Sequence, residues 1–271
     1  EPGVRWPEGE GTAFELHDVT FAYKPGVPVL HGVSLAAKRG ETVALVGATG
    51  SGKSTIASLL LRLYEASEGE VRVFGRPVAS LDRTRLRKQF AVVPQDVFLF
   101  PGSVASNVAG GAPEFDRARV SEVLASIGAL ELFEAREGGL DATVAERGVN
   151  FSAGERQLIA LARALYRDPA ILVLDEPTAT IDSDTERKLQ AAMDAAAEGR
   201  TALVIAHRLS TIRNADRIVV LQRGRVVETG THDELLAKGG VYARLYRLQD
   251  ARRELERKVE ATLESLAGSD A

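Results

Sequence analysis

Gly47-Ala48-Thr49-Gly50-Ser51-Gly52-Lys53-Ser54 brings glycines, hydroxyls and a lysine together in the order G-x-x-x-x-G-K-[ST]. The glycines admit backbone geometries closed to other residues, so successive N–H groups can turn toward one anion, and the start of a following helix adds its own unpaired N–H groups. A lysine supplies a point charge, and a serine hydroxyl can ligate a divalent cation. This is chemistry for the phosphates of a nucleotide, and Gly47, Thr49, Gly50, Ser51, Gly52, Lys53, Ser54 and Thr55 are its candidate residues. A second chemical signal is Asp175-Glu176, directly after the apolar run Ile171-Leu172-Val173-Leu174. In an open α/β sheet, ligands bind at the carboxyl ends of strands. Asp175 there suits Mg²⁺, a hard cation that prefers oxygen ligands, and Glu176 suits a base that takes a proton from attacking water.

The elements that must position these groups are visible as periodicity. Thr42–Val46, Ala91–Val93, Ile171–Leu174, Ala202–Ile205 and Ile218–Leu221 are short apolar runs of the kind buried on both faces of a parallel sheet. Phe14–Val19 alternates like a half-buried strand, and Ser54–Leu63, Glu155–Arg167 and Asp184–Ala197 have helical spacing. Strands alternating with helices predict a doubly wound α/β sheet. The stretch 98–167 breaks this rhythm with successive helical patterns (Arg117–Ile127, Leu130–Arg136, Glu155–Ala164) and no buried strand, and is read as a helical insertion. Arg223-Gly224 is expected to turn a hairpin, and Val241–Leu266 to form an amphipathic helix. The predicted organisation is therefore a linker (1–13), a core (14–97 and 168–250), a helical subdomain (98–167) and a helical tail (251–271).

Composition narrows the function. With 271 residues, 45% of them hydrophobic, the chain has material for a large core, which excludes disorder. No window reaches the roughly 18 apolar residues of a membrane span, and Glu1-Pro2-Gly3 lacks the basic-then-apolar order of a signal peptide. The absence of cysteine excludes disulfides and cysteine-ligated metals, and a net charge of −4 argues against a general nucleic-acid surface.

Phe151-Ser152-Ala153-Gly154-Glu155-Arg156-Gln157, ahead of a helix that leads to Asp175-Glu176, resembles the signature loop of ABC transporter nucleotide-binding domains. The resemblance runs from about Phe14 to Leu248. It implies a P-loop ATPase of the ABC type with an N-terminal antiparallel β region and an inserted helical subdomain. It also implies two domains that sandwich two MgATP head to tail. By resemblance, Tyr23 stacks on adenine, and Gln95 senses Mg²⁺ and water and couples to the membrane domain. His207 contacts the γ-phosphate, and Asp182 lies in the loop that crosses to the partner. Ser152, Gly154 and Glu155 face the ATP of the opposite subunit. Glu176, His207 and Gln95 are thus the catalytic set, and Ser54, Gln95 and Asp175 the metal set.

Thr143–Gly148, Ala206–Thr211 and Gly230–Leu235 resemble loops of exporters whose membrane domain is fused ahead of the ATPase. The implied function is ATP-driven export from the cytoplasmic face of a membrane, through a transmembrane domain and without nucleic acid. A soluble ABC ATPase acting on nucleic acid, or an importer subunit, is the alternative. The usual signature reads Leu-Ser-Gly-Gly-Gln, from which Phe151, Ala153 and Glu155 depart. A carboxylate at position 155 is expected to face an anionic ligand and weaken closure, so an unlike partner with a standard signature is favoured over a second copy.

Overall fold

A computed structural model describes residues 11–175, 183–206 and 209–251. Strands β1 (Thr12–Lys24) and β2 (Val27–Lys38) form a long antiparallel hairpin, and β3 (Thr42–Val46) runs into the glycine-rich loop and helix α1 (Lys53–Leu60). Next come β4 (Glu68–Val73), β5 (Arg76–Pro77), α2 (Arg83–Lys88) and β6 (Phe90–Val93). The middle of the chain holds β7 (Gly102–Ser103), α3 (Val104–Val108), α4 (Arg117–Ser126), α5 (Leu130–Glu134), β8 (Thr143–Val144) and α6 (Ala153–Tyr166). The last part comprises β9 (Ile171–Asp175), α7 (Ser183–Ala197), β10 (Thr201–Ile205), α8 (Leu209–Asn214), β11 (Arg217–Gln222), β12 (Arg225–Gly230) and α9 (His232–Lys238). Residues 241–251 are helical, and the remainder of the expected C-terminal helix lies outside the described residues.

The central sheet has the order β12-β11-β3-β10-β9-β6, parallel except for β12. Its strands are apolar on both faces because each face carries a core. Ala44, Val46, Leu172, Leu174 and Val204 join α6, α7 and the helical region on one side. Their neighbours Val43, Leu45, Ile171, Val173 and Leu203 join α1 and the antiparallel sheet β2-β1-β4-β5 on the other. Side chains of a strand alternate between faces, so one apolar run serves both cores. The expected doubly wound core, N-terminal antiparallel region and helical insertion are thus present.

The differences are local. β1 extends well beyond Phe14–Val19, because Asp18 takes φ 47° and the register with β2 shifts between Leu16 and Val19, which breaks the alternation. α1 ends at Leu60, before Arg62 with φ 49°, rather than at Leu63. Within 98–167 a two-residue ladder, Gly102–Ser103 against Thr143–Val144, appears where no strand was expected. The Arg223-Gly224 turn is as expected: both residues have positive φ, 50° and 72°, as a two-residue type I′ hairpin requires.

The segment between β6 and α3 is fixed by one buried amide. Asn107 accepts from the Phe100 N–H through Oδ1 (2.9 Å) and donates through Nδ2 to the carbonyls of Phe100 (2.8 Å) and Ser103 (3.0 Å). Arg163 of α6 donates to both the Asn107 carbonyl and its Oδ1. Removal of a buried hydrogen-bonding hub leaves several partners unsatisfied, so Asn107→Ala is expected to cost about 2–4 kcal/mol of stability, read as a lowered melting temperature.

Candidate functional site: a phosphate cradle at the sheet edge

Ile205 pairs with both Leu45 and Asp175, so β3 and β9 end at the same height on either side of β10. The loop after Val46 and the carboxylate of Asp175 therefore share the carboxyl edge of the sheet. Gly47 fits there only without a side chain: a Cβ would stand 2.2 Å from the Leu221 carbonyl oxygen and 2.7 Å from Ser51 Oγ. Lys53, 5% exposed, folds its ammonium back into the loop and donates to the carbonyls of Gly47 (2.7 Å) and Ala48 (3.3 Å).

Charge in this corner is balanced at a cost. Burial pushes the Lys53 pKa down, opposed by the field of Asp175, and burial pushes the Asp175 carboxyl up, opposed by Lys53. The Ser51 hydroxyl is buried and makes no hydrogen bond, and no side chain caps α1. A buried orphan hydroxyl and a helix start without a cap are what a polyphosphate would satisfy. Thr49 and Ser54 are exposed at the mouth.

Tyr23 reaches this region from β1. Its hydroxyl lies 3.2 Å from Thr55 Oγ1, and its ring, 49% exposed, packs edge-on against Phe21 (4.8 Å) and Tyr64 (5.0 Å). Tyr64 is also half exposed and was not singled out from the sequence, because only the fold brings it beside Tyr23. The result is a braced aromatic shelf next to the phosphate loop.

Ser152, Gly154 and Glu155 gather at the start of α6, on the other face of the sheet from α1. The phosphate loop and the signature loop of one chain therefore lie on different layers. Ser152 Oγ accepts from the Glu155 N–H (3.2 Å), and the Glu155 carboxylate accepts from the Ser152 N–H (2.7 Å), a reciprocal capping box. The other Glu155 oxygen lies 2.5 Å from Arg136 Nη1. The expectation that position 155 brings a carboxylate toward an anionic ligand is thus corrected: the carboxylate folds back to close the cap and pairs with an arginine.

Gln95, exposed after β6, is tied to the same helix, since the buried Gln157 amide donates to the Gln95 carbonyl (3.0 Å). Gln157 stood in the quoted motif without an assigned role. Glu176, Asp182 and His207 lie outside the described residues. Among the described residues no group of three or more His, Cys, Asp or Glu could hold a metal, and no helix is long and apolar enough to cross a membrane.

Comparisons with known proteins agree with this geometry. A family model described as ABC transporter matches residues 30–179. The chain is 48% identical over 235 residues to the probable multidrug resistance ABC transporter ATP-binding/permease protein YheH of Bacillus subtilis, covering 87% of this chain and 35% of that protein. It is 47% identical over 235 residues to an ATP-dependent lipid A-core flippase of Saccharophagus degradans, covering 87% and 40%. Among solved structures it matches a bacterial Atm1-family ABC exporter with ATP bound, at TM-score 0.80 and 39% identity over 87% of this chain and 41% of that one. The chain thus spans well under half the length of these relatives. Its phosphate cradle, its layered fold and its motif order have one common account: the chain belongs to the ABC transporter family, as an ATP-binding, ATP-hydrolysing domain of the exporter type.

Proposed function

We propose that this domain hydrolyses MgATP between itself and a second nucleotide-binding domain, and that closure and reopening of the pair drive export through a transmembrane domain from the cytoplasmic face of a membrane. The observation that carries this reading is the orphan Ser51 hydroxyl in the loop that also holds the Lys53 ammonium, with Asp175 in the field of that lysine, a cradle built for phosphate oxygens. The loop N–H groups and Lys53 hold the β- and γ-phosphates, with Gly47, Gly50 and Gly52 letting the backbone approach and Thr49 and Thr55 flanking it. Tyr23 gives its exposed face to adenine. The donors present suit Mg²⁺, since the Ser54 hydroxyl, the Gln95 amide and the Asp175 carboxylate are hard oxygen ligands, too few to form a cage without phosphate oxygens and water. When bound, that ion neutralises developing charge on the phosphates.

Glu176 takes the proton of the attacking water, and His207 meets the γ-phosphate. Ser152 and Gly154, with Asp182, form the face offered to the partner's nucleotide, and Glu155 holds that loop through its cap. Because the two loops lie on different layers of one chain, a second domain completes each site. Phe98 and Phe100, each 49% exposed and packed edge-on to each other a few positions after Gln95 in the chain, support a docking contact with a membrane domain. ATP binding favours the closed pair over the open one, and this differential affinity is what moves the membrane helices.

The test is titration with MgATP followed by phosphate release. The chain is expected to bind ATP and release phosphate, and failure to bind would overturn the reading. Base–aromatic stacking is worth about 1–3 kcal/mol, so Tyr23→Ala is expected to weaken ATP binding by about tenfold, and it should weaken GTP binding comparably because stacking reads no base edge.

A further inference from the structure

We infer that Arg136 makes the signature loop self-compensating, so that the Glu155 carboxylate does not oppose closure on the ATP of a partner domain. The inference rests on the ATPase reading above. Two departures from the usual signature, Phe151 and Glu155, converge on this arginine, which follows α5. The guanidinium carbon stands 4.1 Å above the Phe151 ring centroid, Nη1 meets Glu155 Oε1, and Nη2 donates to the Asn150 carbonyl (3.1 Å). Phe151 is itself buried and packs 6.5 Å from the ring of Phe133 in α5. The arginine thereby fixes the loop to the helical region through a ring face, a carboxylate and a backbone carbonyl.

The electrostatic consequence concerns the partner. A lone carboxylate at the start of α6 would repel an incoming triphosphate, but Glu155 has one oxygen on Arg136 and the other on the Ser152 N–H. With only 16% of the Glu155 side chain exposed, the pair presents close to zero net charge to an anion. The helix-start N–H groups not used by the cap then act on that anion unopposed. Ser152 is not lost either, because a hydroxyl that accepts from the Glu155 N–H keeps its proton to donate. The reason to require an unlike partner was the charge at position 155, and the structure pairs that charge within the chain. Arg136 is a positioning residue in this scheme, since it acts through Glu155 and Phe151.

The experiment uses the chain in a Glu176→Gln background, with ATP-dependent dimerisation followed by analytical ultracentrifugation and ATP binding to the monomer followed with a fluorescent ATP analogue. The parent is expected to form an ATP-dependent dimer. Loss of one partner of a half-buried pair exposes the other's charge, so Arg136→Ala is expected to weaken dimerisation by about tenfold. Monomer binding of the analogue should stay unchanged. Adding Glu155→Gln to Arg136→Ala is expected to restore most of the affinity, because the amide keeps the cap without the charge. Several results would overturn the inference: a parent that binds ATP yet stays monomeric, an Arg136→Ala variant that dimerises like the parent, or a double variant that is not rescued. Failure of the parent to bind ATP would instead overturn the underlying ATPase reading, and this inference with it.

Discussion

Lys53→Ala is expected to lower ATP turnover by about 10³-fold or more, since one preorganised donor to a developing anion is already worth about 10²–10³ and this donor is also charged. The substitution acts three times over. It removes the cation from the loop, it strips the Gly47 and Ala48 carbonyls of their ammonium partner, and it deletes the countercharge of Asp175. The third effect has a pH signature. The Asp175 carboxyl is raised by burial and held back by Lys53, so without Lys53 it rises further. A carboxyl whose folded pKa lies above its unfolded value binds more protons in the native state, and stability then falls as pH climbs through that raised value. The variant should therefore lose more melting temperature relative to the parent at pH 8 than at pH 5. Phosphate release, ATP titration and thermal melts at the two pH values check this. Turnover within tenfold of the parent would remove Lys53 from the machinery.

The phosphate loop is legible in the sequence because its chemistry is contiguous. Glycines, lysine and serine within one short stretch need only the flanking strand and helix, and those announce themselves by the apolar run Thr42–Val46 and the spacing after Ser54. The central strands are legible for the same local reason, since burial on both faces leaves an unbroken apolar run. The orientation of Glu155 is not legible. Its type signals a charge, but whether that charge faces a ligand or an arginine depends on Arg136, nineteen positions earlier in the turn after α5. Gln157 with Gln95, and Tyr64 with Tyr23, are likewise contacts that exist only once the layers have closed. The β7–β8 ladder is too short to carry a period, and its segment is fixed by the hydrogen bonds of Asn107 rather than by a pattern of apolar residues. What sequence reading misses here is the long-range polar contact, because a hydrogen bond between distant residues leaves no periodicity behind.

Glu176→Gln is the substitution that separates chemistry from binding. The chain ends β9 at Asp175, level with the phosphate loop across β10, and Glu176 is the next residue. Glutamine keeps the size of the glutamate and one acceptor oxygen but cannot take a proton from water. A positioned general base contributes about 10²–10⁴-fold, so turnover is expected to fall by that factor while ATP affinity stays near the parent value. Because hydrolysis is what reopens the closed pair in this scheme, the variant should accumulate as an ATP-bound dimer, visible by light scattering. Asp175→Asn provides the contrast. Asp175 stands in the field of Lys53 and is typed for the metal, so its loss should weaken MgATP binding together with turnover. Two adjacent carboxylates should therefore give two kinetic signatures, unchanged affinity with slow turnover for position 176 and loss of both for position 175. If Glu176→Gln turned over ATP within tenfold of the parent, the proton would have to go elsewhere, and the roles of the two carboxylates would need to be exchanged.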